Sequence, residues 1–131
     1  MSDNANPVQM MPFSQLMGVV VTHVDDKGVF GELVVKPDLC TSNSMVHGGA
    51  LMAFADALGA VGAMASLPDG AAGTTTIESK TNFLRAASVG SVLKAHAVPV
   101  KLGKRMSVWQ TTIRGADEKE VALVTQTQLV L

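Results

Sequence analysis

The chain has 131 residues, 47% of them hydrophobic and 16% charged, which fits one compact domain with a sizeable core and does not call for a second. Its 10 basic residues against 11 acidic ones give a net charge of -1, so the molecule carries no overall field that would draw it to nucleic acid or to an anionic membrane, and any anion site must be local. Cys40 is the only cysteine, which excludes an internal disulfide and makes a reducing cytoplasm the default location.

The single domain is expected to cover residues 1–131, with flexibility allowed for 1–12. The opening "MSDNANPVQMMPF" has no basic region followed by an apolar block and does not read as a signal peptide. Residues 7–17, "PVQMMPFSQLM", predict a short helix that opens on a proline and is interrupted or shortened at Pro12. Next come "GVVVTHVDD" and "GVFGELVVKP", two β-branched runs joined by the turn residues Asp25-Asp26-Lys27-Gly28, which predict a hairpin closed off by Pro37.

After the loop "DLCTSNSM", a helix is expected from about Gly48 to Leu67, stopped by Pro68-Asp69-Gly70. Asp56 is its only charged group. Twenty residues would suffice to span a bilayer, but the segment is mostly Ala and Gly, lacks flanking Lys/Arg or Trp anchors, and lies between amphipathic strands. The better reading is a helix buried in a core, apolar all round because other elements cover it. Everything after it reads as strand: "GTTTIESKTNFLRAA", "SVLKAHAVPVKL", "RMSVWQTTIR" and "EVALVTQTQLVL". The turns at 88–90, 102–104 and 115–118 are short, which argues for antiparallel neighbours. One long helix with about six antiparallel strands is an α+β layer structure, in which a curved sheet wraps the helix.

His47-Gly48-Gly49 stands where that helix begins. First-turn N–H groups lack intrahelical partners and carry the positive end of the dipole, so a glycine pair lets an electronegative ligand atom approach closely; the plainer alternative is tight packing of the helix start. Asp56 follows His47 by nine residues, two and a half turns and about 13.5 Å along the axis, on the opposite face. Within one chain the two cannot share a site, so cooperation requires the glycine N–H groups of one subunit to face the Asp of another across a two-fold axis. A buried unpaired carboxylate is costly. Asp56 therefore either lines a wet cleft, with Ala60 and Ala63 leaving room beside it, or is held structurally by a backbone amide or a lysine such as Lys80.

"VHGGALMAFADALGA", followed by "TTTIESKTNFLRAA" and later by "GKRMSVWQTTI", resembles the hotdog-fold acyl-CoA thioesterases of the phenylacetate-degradation type, related to the Arthrobacter-type 4-hydroxybenzoyl-CoA thioesterases. The resemblance covers residues 13–131. It implies a curved antiparallel sheet wrapped around the central helix, a homodimer with a continuous sheet, and a dimer of dimers. It also implies that Asp56 is the catalytic acid and that Gly48, with Gly49 beside it, is the backbone donor that polarises the thioester carbonyl from the other subunit. His47 would hold the turn and orient substrate, or act only as a cap. Thr76 would position the attacking water, with Thr75 the neighbouring candidate, although three threonines are also simply good strand formers.

One departure stands out. Six residues before the histidine, where such proteins often carry Asn or Gln, this chain has Thr41, so either Asn43 reaches in, or Thr41 makes the contact, or it is lost. The resemblance places coenzyme A phosphates near Arg85, Lys104 and Arg105, with Lys101 close by. Coenzyme A belongs to the substrate, and no cofactor or metal is expected. His23 and His96 lack metal-ligand spacing. Cys40 has no paired His to make it a nucleophile, and Trp109 and the methionines read as core or acyl-pocket lining. The expected function is hydrolysis of acyl-CoA by a cytoplasmic enzyme with no nucleic-acid or membrane partner; the alternative is a non-catalytic acyl-CoA-binding module of the same fold. Acyl preference is not legible beyond a lean towards medium-chain or small aryl groups.

Overall fold

A computed structural model describes residues 11–131 of the chain. Helix α1 runs over Pro12–Met17 and ends at Gly18, whose φ of 92° is the left-handed conformation glycine tolerates. Pro12 thus opens the helix rather than interrupting it, because a proline in the first turn surrenders an N–H that has no partner anyway. The expected residues 7–10 of that helix, and the flexibility allowed for 1–10, lie outside the described residues.

Strands β1 (Val20–Asp25) and β2 (Gly28–Val34) form the expected hairpin, with Asp25 opposite Gly28. Asp25 Oδ1 accepts the Lys27 N–H at 2.8 Å and its Oδ2 meets His23 Nε2 at 2.7 Å. The Lys27 N–H first, and His23 after it, hold this carboxyl below the ordinary aspartate range. Two short 3-10 turns follow, Pro37–Leu39 and Ser42–Ser44.

Helix α2 spans Gly48–Ala65. It stops short of the expected Leu67 because that residue precedes Pro68, whose ring disfavours the helical conformation before it. By length and composition α2 could cross a membrane, yet Phe54, Ala55 and Leu58 are fully buried against the sheet, so its apolar character serves the core. The remaining strands are β3 (Thr74–Phe83), β4 (Val92–Leu102), β5 (Met106–Arg114) and β6 (Glu120–Val130).

All six strands form one antiparallel sheet in the order β1-β2-β4-β5-β6-β3. The short turns at 102–104 and 115–118 join neighbours as expected. The turn at 88–90 does not: β3 lies at the far edge beside β6, and residues 84–91 carry the chain back across the sheet to β4. That crossing is held by the Val46 N–H to Ala87 carbonyl bond at 2.8 Å and the Gly90 N–H to Val35 carbonyl bond at 2.7 Å, so a tethered connection spans strands that do not touch. The inward residues of β2, β4, β5 and β6, among them Leu33, Leu93, Ile113 and Val124, close the core over α2.

Candidate active site

Alternation along β6 sends Val124, Gln126 and Gln128 towards the helix and Thr125 towards the other face. Two amides therefore enter a region where their neighbours are apolar, and both are buried, at 0% and 1% exposure. Gln126 fits because residue 59 of α2 is glycine: a Cβ there would lie 2.2 Å from Gln126 Oε1. Opposite Gln128 in the register stands Thr76 of β3.

These strands meet the single acid of α2. Thr76 Oγ1 donates to Asp56 Oδ1 at 2.7 Å, and Gln126 Nε2 donates to the same oxygen at 3.2 Å. Behind them, Gln128 Nε2 donates to Thr76 Oγ1 and Thr74 Oγ1 donates to Gln128 Oε1 at 2.9 Å. Every donor in the row thus points towards the carboxylate, in the charge-assisted arrangement. Oδ2 accepts no hydrogen bond among the described residues, and Asp56 itself is half-buried.

Thr76, not Thr75, faces Asp56; Thr75 pairs with Leu129 and lies on the other face of β3. Lys80, a candidate structural partner for Asp56, donates instead to Asn82 Oδ1 at 2.8 Å. Gly59 makes room for the acid's partner Gln126.

At the start of α2, the Gly49 N–H donates to His47 Nδ1 at 2.8 Å, while the Ala50 and Leu51 N–H groups turn to the His47 carbonyl. The histidine is therefore the helix N-cap, with its ring proton on Nε2, and the Gly49 donor is engaged. The Gly48 N–H has no hydrogen-bond partner among the described residues, as first-turn donors of a helix lack one within the helix. Over Gly48 lies the Phe83 ring, which a Cβ at that position would meet at 3.0 Å. A cavity of about 480 Å³ opens beside His47 and Gly49, lined mainly by Phe13, Leu16, Met17 and Leu39, with Lys36 and Asp38 also in its wall.

The two halves stand at opposite ends of β3. Asp56 is held by Thr76 near its start, whereas Gly48 lies under Phe83 at its end. The expected cations divide the same way: Arg85 follows the end of β3, and Lys104 and Arg105 lie by its start, where the Arg105 carbonyl accepts from Val130 N–H and Val130 pairs with Thr74. A ten-residue strand at about 3.3 Å per residue keeps the two sets of cations roughly 30 Å apart within one chain, while eight residues of α2 set Gly48 and Asp56 about 12 Å apart along the helix axis. All three cations are exposed, and among the described residues none of them pairs with a carboxylate. Thr41 and Asn43 are exposed in the loop before α2, and neither side chain bonds to the site among the described residues.

The remaining candidates are elsewhere. Cys40 is half-buried, with Sγ donating to the Lys36 carbonyl at 3.6 Å. His96 stacks on Phe30 at 4.0 Å and meets the Lys27 carbonyl. Trp109 is core, at 2% exposure. Met17 is buried, but Met64 and Met106 are substantially exposed. Gln126 and Gln128 are the site residues that sequence reasoning missed; the signal was the alternation T-Q-T-Q, which sets two amides on one face of a strand.

A long helix wrapped by a single antiparallel sheet in this strand order, with one acid at mid-helix and an open glycine N–H at its start, defines a hotdog protein of thioesterase type. The sequence profile of the thioesterase superfamily matches residues 43–122, and the chain belongs to that family. It is 27% identical over 106 residues, 81% of this chain and 66% of the relative, to 1,4-dihydroxy-2-naphthoyl-CoA thioesterase 2 of Arabidopsis thaliana; it thus spans about two thirds of that relative's length. Among solved structures it resembles a thioesterase from Haemophilus influenzae, with TM-score 0.85 and 23% identity over 91% of this chain and 82% of that one. It also resembles a mutant form of the phenylacetic acid degradation protein PaaI from Thermus thermophilus, with TM-score 0.83 and 26% identity over 92% of this chain and 99% of the other.

Proposed function

We propose that this chain is an acyl-CoA thioesterase, acting as a homodimer whose two sites lie between subunits. The observation that carries the reading is the separation along β3: an ionisable carboxylate held at one end of an edge strand, and an open helix-start N–H at the other. If two copies pair antiparallel along β3, the start of one strand meets the end of the other. Asp56 of each copy then approaches Gly48 of its partner, and Lys104 and Arg105 approach the partner's Arg85, gathering cations for the coenzyme A phosphates. Ile77, Phe83 and Leu84, exposed at 53%, 56% and 53%, give this edge apolar surface to bury on pairing.

In the proposed reaction the thioester oxygen accepts the Gly48 N–H at the positive end of α2, where negative charge develops in the transition state. Asp56 then follows one of two routes. As a base it takes a proton from water while the water oxygen bonds to the carbonyl carbon. As a nucleophile it bonds that carbon itself, and water later hydrolyses the mixed anhydride. Either way the carbon–sulfur bond breaks, CoA leaves as the thiolate, and its protonation follows. Coenzyme A enters as part of the substrate, so the chemistry calls for no cofactor.

The aroyl-CoA named for the Arabidopsis relative supports a CoA thioester as substrate, and the cavity beside α1 is where we place the acyl group. Cytoplasmic location and assembly of dimers into tetramers complete the reading. The test is CoA release across short, medium, long and aryl acyl-CoAs. Wild type turns over at least one, and Asp56→Ala loses about a hundredfold or more, the scale of a lost general base. Binding of acyl-CoA without turnover by wild type would replace this reading with a non-catalytic carrier.

A further inference from the structure

We infer that Gln126 and Gln128 are positioning residues that hold Asp56 through Oδ1 and so leave Oδ2 as the oxygen that reacts. This rests on the thioesterase reading above. A free aspartate can turn about its last torsion and offer either oxygen. Here Oδ1 takes two donors, from Thr76 and Gln126, and the Thr76 hydroxyl has its proton committed to Asp56 because Gln128 Nε2 supplies the hydrogen bond that its oxygen accepts. Reversing Gln128 would set its carbonyl against the Thr76 hydroxyl and compete for that proton. Thr74, donating to Gln128 Oε1, fixes the amide the right way round.

The orientation of Gln126 is unfavourable for folding, which is what singles out its role. With its NH₂ committed to the carboxylate, its Oε1 is buried against Gly59 with no hydrogen-bond partner among the described residues. A buried acceptor left unpaired is destabilising, so an apolar side chain of similar shape would suit the core better. Local rules of this kind are broken where a site requires it. The amide stands there at a cost in stability, and the contact it makes in return is with Asp56.

The test pairs Gln126→Met and Gln128→Leu with the wild type in steady-state hydrolysis and thermal melts. The expected result is a kcat lower by about tenfold or more, the scale of a misplaced reacting group, with KM unchanged. The melting point of Gln126→Met should be equal to or higher than that of wild type. Loss of kcat accompanied by a parallel loss of melting point would overturn the inference, since that is what a merely structural amide predicts; so would unchanged kcat in both variants. A wild type inactive on every thioester would instead remove the reading of the reaction. The hydrogen-bond row then has its own readout: in Asp56→Ala, the side-chain amide proton resonances of both glutamines shift, and if neither does, the row does not exist.

Discussion

At the scale of single residues, His47 and Asp56 show two ways in which a sequence can mark a site. Asp56 was legible because it is the lone charge in an apolar helix, where an acid needs a physical reason to persist. His47 was legible only as a position: cap and substrate contact look alike in a sequence, and the structure shows its Nδ1 accepting the Gly49 N–H. His47→Ala should therefore destabilise the fold by about 1 kcal/mol, the usual cost of a lost N-cap, while His47→Asn, a good cap, recovers most of it. Chemical denaturation of the three proteins checks this. The two glutamines were not legible, because "TQTQLVL" alternates without saying which face is inward. Leu123 and Leu129 make the opposite face equally eligible for the core, and only the register with β3 and β5 settles it.

At the scale of elements, the long helix and most strands could be read from apolar pattern and turn chemistry. The exception was the pairing of β3. A short connection predicts adjacency, but residues 84–91 cross the sheet because backbone bonds to Val35 and Val46 hold them to it, and those contacts are far apart in sequence. Within α2, two glycines that look equivalent separate by what they touch. A Cβ at Gly62 would lie 2.5 Å from the buried Trp109 ring, whereas at Gly59 it would meet only the tip of Gln126. Gly62→Ala should destabilise by about 1–3 kcal/mol through overpacking. Gly59→Ala should cost less, because the flexible end of Gln126 can give way where the buried Trp109 ring cannot, yet it should lower kcat by moving Gln126 off Asp56. Melts and steady-state kinetics on the two variants distinguish these outcomes.

At the scale of the whole molecule, the proposed site is complete only when two chains meet, and this makes a prediction no single-chain reading shares. Asp56→Ala and a helix-start variant such as Gly48→Val should each be inactive alone. Mixed and allowed to exchange subunits in equal amounts, half the dimers contain one of each, and each such dimer has one intact site of its two, so about a quarter of wild-type activity returns. If nothing returns although exchange is demonstrated by mass spectrometry, the shared site is wrong. The sequence carried the reason for this expectation, the nine-residue spacing from His47 to Asp56, but not the geometry; the position of β3 at the sheet edge depends on how the whole sheet is ordered.

Trp109, described above as core, is also the chain's only tryptophan. It lies against α2 at Gly62 and directly opposite Gln126 in the β5–β6 register. Its indole N–H is already occupied by Ser107 Oγ at 3.0 Å, so its surroundings change only when the helix and sheet move relative to one another. The protein therefore carries an intrinsic fluorophore at the seam between its two layers, one strand away from the carboxylate's support. Its emission reports on that seam without any label, and a change in it when a thioester binds would mean that the ligand is felt through the core.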